Sequence, residues 1–172
     1  CRNTVPSLEH VITIDIDELD ATASKALAEH TAKIKGVPDC DGAAIYQHVG
    51  GNPLAIILVV SLMHYLPAES VLTGIRSGEI TDLYNFIYHQ SWQAISHSAK
   101  ELLFTIERAG GSAKWSWLEW MNHDQRIPLQ AAIRELTDFS LVYSQRKSDS
   151  ERLYSIHRLT STFLRTQILG WK

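Results

Sequence analysis

Leu141-Val142-Tyr143-Ser144-Gln145 and Arg152-Leu153-Tyr154-Ser155-Ile156 flank the polar turn Lys147-Ser148-Asp149-Ser150. Both arms alternate apolar and polar side chains, and two such arms around a short polar turn predict a β-hairpin. The residues before the hairpin read as helices. Pro128 to Phe139 carries Leu129, Ile133 and Leu136 at helical spacing, and Trp115 to Met121 is a short aromatic helix. Ala99 to Arg108 sets Leu102, Leu103 and Ile106 on one face and ends at Gly110-Gly111. Three helices followed by a two-stranded wing is the winged-helix order, and a last helix, roughly Leu159 to Leu169, closes the chain.

Upstream the pattern is helical again. Asp20 can cap a helix whose Ala23, Leu27 and Ala26 share a face and which Gly36-Val37-Pro38 stops; a second short helix runs from about Asp41 to Val49. The apolar run after Gly50-Gly51-Asn52 starts a third, with Asn52 as cap and Pro53 in the first turn. Its β-branched content would allow a strand, but the run is about twice the usual strand length of five or six residues. Pro67 ends it, Ala68 to Arg76 gives another short helix, and Glu79 to about Ile95 continues through Leu83, Phe86 and Ile87. The expected fold is mainly α: a bundle of four to five short helices, then a winged-helix domain with a small β-hairpin. Residues 19–90 form the helical domain and 91–172 the winged-helix domain. Residues 1–18, with alternating Val11 to Ile16, form a strand remnant at the end of a preceding core.

The chain's 172 residues allow one large domain or two small ones. With 45% apolar and 20% charged residues, the composition is that of an ordinary soluble globular protein. A formal net charge of -3 gives no general drive toward nucleic acid or anionic membrane. Cys1 and Cys40 stand far apart without a Cys/His cluster, which signals neither a disulfide framework nor a zinc site and fits a reducing, cytoplasmic setting. The longest apolar run, Pro53 to Leu66, is too short for a membrane span and contains Ser61 and His64. There is no opening signal peptide, and a first residue of Cys rather than Met reads as an excised fragment.

Gly50-Gly51-Asn52-Pro53-Leu54-Ala55 resembles the Gly-x-Pro signature of the STAND (NB-ARC-like) signal-transduction ATPases. In that family the signature follows the nucleotide-binding core and its proline packs on the adenine base. A rigid apolar ring suits a purine face, and glycines admit close backbone approach; the same residues also serve simply to end one helix and begin the next. Tyr154-Ser155-Ile156-His157-Arg158-Leu159, between the second wing strand and the last helix, resembles the family's MHD-type motif. There the histidine reaches the β-phosphate of bound ADP and holds the closed state. A protonated imidazole donates from both ring nitrogens, and a phosphate favours that form, although a histidine at such a junction can be purely structural. Arg158 stands in place of the motif's aspartate, so the aspartate contacts do not carry over. Arg2 falls where the family senses the γ-phosphate, in what resembles the tail of a Thr-Thr-Arg or Thr-Ser-Arg segment, and reads equally well as a surface arginine.

The resemblance covers nearly the whole chain, and its specific part is the order of its motifs. It implies a regulatory lid, with Gly51, Asn52, Pro53, His157 and Arg2 facing ADP or ATP. The nucleotide, with Mg in the parent protein, would be held jointly with a P-loop core of the same parent chain. Further expected partners are an upstream effector, a downstream repeat sensor and a second copy of the protein on activation, but no membrane. The sequence contains no Gly-x-x-x-x-Gly-Lys-Ser/Thr loop, so catalysis belongs to the parent ATPase and not to these residues.

Two other classes compete. A winged-helix DNA-binding regulator would use Pro128 to Phe139 as recognition helix, but Arg134 there is offset by Glu135 and Asp138, and the wing's Arg146, Lys147 and Arg152 by Asp149 and Glu151. A protein-interaction module would use Trp115, Trp117 and Trp120 as anchors; aromatics this dense in a small domain are more often core, and two of the three largely exposed would favour a partner site. A metal-dependent or nucleophilic hydrolase is weaker still, because His64, His89, His97 and His123 lack partners at ligand spacing.

Overall fold

The computed structural model describes residues 17–38, 40–75, 80–148 and 151–170. Arg2 and the strand expected over Val11 to Ile16 lie outside the described residues. Among those described, helices α1 (Ala21–Lys35), α2 (Gly42–Val49), α3 (Pro53–Met63), α4 (Ala68–Gly74) and α5 (Ile80–Ala94) form a first, all-helical unit. A second unit runs α6 (His97–Arg108), β1 (Ser112–Lys114), α7 (Trp115–Met121), α8 (Leu129–Asp138), β2 (Val142–Ser148), β3 (Glu151–Ile156) and α9 (Arg158–Phe163), which a π-helical turn, Leu164–Ile168, prolongs. The expected architecture, a helical bundle followed by a small winged-helix region, is the one observed.

In the first unit, α1 starts where Asp20 accepts the amide of Ala23 at 2.7 Å and stops at Gly36, whose φ of 67° suits a residue without Cβ. Its inner face differs from the expected one. Ser24, Ala28, Thr31 and Ala32 are buried while Ala23 and Leu27 are only half-buried. Small side chains let α2 lie close, and a Cβ on Gly42 would stand 3.0 Å from the Cα of Lys25. The buried hydroxyls of Ser24 and Thr31 are satisfied by the carbonyls of Leu19 and Leu27. Helix α3 is apolar on nearly every side and is the unit's central element; Ala55, Ile56, Leu58, Val59, Val60 and Leu62 are all buried.

In the second unit the hairpin belongs to a larger sheet. Strand β3 pairs antiparallel with both β2 and β1, giving the order β1-β3-β2, with Ser112 opposite Ser155 and Val142 opposite Ile156. Helix α6 begins two residues before the expected Ala99, because Ser96 accepts the amide of Ala99 and caps it.

One hydrophobic core runs through both units, from Ala28 to Leu164. Its polar fastenings converge on the C-terminal end of α8. Lys35 Nζ donates to the carbonyls of Thr137 (3.1 Å) and Asp138 (2.6 Å), placing a cation where helix carbonyls lack partners. Ser140, in left-handed backbone with φ 56°, shares a hydroxyl hydrogen bond of 2.9 Å with Ser61 of α3. Within the second unit, Glu135 of α8 accepts from both the amide and the hydroxyl of Ser96, the cap of α6. Farther along, Glu107 of α6 is buried, and one of its carboxylate oxygens accepts from Ser161 and Arg165, tying α9 and the π-helical turn to α6. Among the described residues no helix is long and apolar enough to cross a membrane.

Candidate functional site

The turn between α2 and α3 is built for backbone contact. Gly50 leaves α2 with φ 70°, in the left-handed region. Gly51 is buried against the segment before α1: its carbonyl accepts from Leu19 N at 2.9 Å, and its amide donates to Glu18 Oε2 at 3.3 Å. A Cβ on Gly51 would overlap the Leu19 carbonyl oxygen, which gives this glycine a reason in packing alone. Asn52 Oδ1 accepts three bonds, from the amides of Leu54 (3.1 Å) and Ala55 (3.2 Å) and from the Tyr84 hydroxyl (3.0 Å). Pro53 then takes the first helical turn with its side chain exposed, the one member of the turn presented to solvent as an apolar ring.

His157 sits between β3 and α9 in extended backbone, φ -72° and ψ 149°, and is exposed. Its Nδ1 accepts the amide of Leu159 at 3.2 Å, so the imidazole is the N-cap of α9. That bond leaves Nε2 as the ring's outward donor. The doubly donating ring that a phosphate would favour therefore belongs to a state in which this cap is released.

Helix α5 joins the two places. Tyr84 and Tyr88 stand one turn apart on it, with rings 6.2 Å apart and 25° from parallel. Tyr84 reaches Asn52. Tyr88 stacks on Phe163 (5.4 Å, 22°), and its hydroxyl accepts from Thr160 Oγ1 at 3.3 Å in the first turn of the helix that His157 caps. Burial, then the charge of Glu18, raises the Tyr84 phenol above its ordinary range. Burial pushes Tyr88 up to about 12; neighbouring Tyr84 adds to the rise and the Thr160 hydrogen bond opposes it. Both therefore stand as neutral hydrogen-bonding phenols near neutral pH. In the sequence the two tyrosines carry no signal beyond their spacing of four within one expected helix.

The remaining candidates are placed as follows. Trp115 and Trp117 are half-buried against the core while Trp120 is 69% exposed, so one of the three is largely exposed and not the two that would favour a partner site. Among the described residues no cluster of His, Cys, Asp and Glu has the arrangement of a metal site. An open groove of about 390 Å³ lies between α6, α7 and the loop before α8, with Phe104, Arg108, Leu118, Met121 and Arg126 among its walls; none of Gly51, Asn52, Pro53 or His157 lines it. The chain matches no protein-family model and no curated protein.

Proposed function

We propose that this chain is the regulatory lid of a STAND (NB-ARC-like) nucleotide switch, closing over ADP or ATP held by a P-loop core outside these residues. The observation that carries the reading is the pair of outward-facing groups, Pro53 and His157. Each stands at the N-terminus of a helix, one in each unit, and hydrogen bonds of α5 end close by in the chain, on Asn52 and on Thr160. An apolar ring suits the adenine face and an imidazole Nε2–H suits a phosphate oxygen. A helix N-terminus favours nearby negative charge. Nε2–H can donate to a phosphate oxygen while Nδ1 keeps its bond from the Leu159 amide, so the ligand contact would add to the local cap. A nucleotide acts as a switch only through a difference in affinity between the two arrangements; ADP would hold the winged unit against the helical one and ATP would not. Coupling to activation and self-assembly follows from that difference.

The test separates the two duties of His157. In the full-length protein, His157→Ser keeps a capping oxygen for the Leu159 amide but removes the ring. Bound ADP measured after purification should fall and assembly on sizing should rise. Unchanged ADP occupancy together with unchanged assembly would sink the reading, as would the lack of a phosphate-binding loop in the sequence encoded upstream of Cys1.

A further inference from the structure

We infer that Tyr84 and Tyr88 are positioning residues, a two-ring strut on α5 that sets where His157 stands relative to the Asn52–Pro53 turn and so couples the state of one to the other. The inference rests on the nucleotide-lid reading for its purpose, but the strut itself rests on contacts alone. Its two ends are polar and specific. The Tyr84 hydroxyl ends on the same Asn52 oxygen that caps α3, so a shift of this phenol disturbs the amides of Leu54 and Ala55. The Tyr88 hydroxyl ends on Thr160, three residues past His157 and inside the turn it caps. Between them the two rings stack with centroids 6.2 Å apart, Tyr88 stacks in turn on Phe163, and His89 meets Phe163 edge-on at 5.1 Å. Tyr88 is 2% exposed, so its hydroxyl has no solvent to turn to once Thr160 is lost. Closely packed side chains transmit displacement poorly as gradual strain and well as a choice between discrete arrangements, which is what coupling between two units requires.

Hydrogen exchange tests the strut in this chain, without nucleotide. Tyr84→Phe removes only the hydroxyl on Asn52. It should raise exchange at Leu54 and Ala55 and, at the far end, at the amides of residues 159–161. Tyr88→Phe should raise exchange at 159–161 and at Leu54 and Ala55. A rise confined to the mutated end in both variants overturns the strut. In the full-length protein, Tyr88→Phe and Thr160→Val should each speed ADP release by about three- to tenfold, the range expected of one net hydrogen bond. The double variant should go no further than either single one. If His157→Ser speeds ADP release while Tyr88→Phe and Thr160→Val leave it unchanged, the lid reading stands and the strut falls. If exchange shows coupling at both ends while His157→Ser has no effect on ADP, the strut stands as a structural coupling and the lid reading falls.

Discussion

Tyr65, just beyond the end of α3, stacks on Phe139 at the end of α8, with ring centroids 3.9 Å apart and planes 9° from parallel. The pair fastens the helical unit to the winged one beside the Lys35 and Ser61 hydrogen bonds. Phe139 is 1% exposed and Tyr65 is 41% exposed, so Tyr65 covers Phe139 while keeping one side to solvent. Tyr65→Ala should cost about 1–2 kcal/mol, less than emptying a full core site, because only part of an aromatic contact is lost. Denaturant unfolding with an unchanged m value measures it, and a cost near zero would show that the stack contributes nothing to the join.

Gly51 has a sharper requirement. A methyl there meets the backbone of Leu19, which cannot rotate away as a side chain end could. Gly51→Ala should destabilise by about 1–3 kcal/mol and free the Leu19 amide from the Gly51 carbonyl. Amide exchange at Leu19 reads the second effect separately from the urea midpoint. A variant as stable as the parent with Leu19 still protected would remove the packing account of this glycine.

Tyr88 carries a pH signature. Its phenol is raised from 10.0 to about 12 in the fold, first by burial. Between those values the unfolded chain has released a proton that the folded chain retains, so stability falls with rising pH. Its contribution is complete below about pH 10 and lost as pH rises through about 12. Tyr84 and Tyr65, also raised chiefly by burial, act in the same sense; Lys35, lowered chiefly by burial, acts in the opposite one. Tyr88→Phe should therefore lower stability at neutral pH but make its decline between pH 10 and 12 shallower. An equally steep decline in the variant would show that Tyr88 does not titrate with unfolding.

The features legible in the sequence are those fixed by local chemistry. Asn52-Pro53 marks the start of α3 and Gly36 the end of α1, because a cap oxygen, a ring-fixed φ and a missing Cβ act within a few residues. Strand β1 was not legible. Its three residues offer one buried apolar side chain, Ala113, and they become a strand through pairing with β3 some forty positions later. The inner face of α1 departs from the expected one for a related reason. Leu27 is the most apolar candidate on that stretch, but close approach of α2 favours the small Ser24, Ala28 and Thr31. At the site, the positions of Pro53 and His157 could be read, and the His157 bond to the Leu159 amide spans only two residues, whereas the route through Tyr84 and Tyr88 depends on where α5 lies.

The shared core also constrains any movement of the winged unit. Phe139, Phe163 and Tyr88 are each at most 5% exposed, and all three bury rings against neighbours from the opposite unit. Parting the units would turn those rings toward water, at a cost that grows with the apolar area exposed. An opened molecule would thus be adhesive, and its cheapest cover would be another opened molecule presenting the same rings.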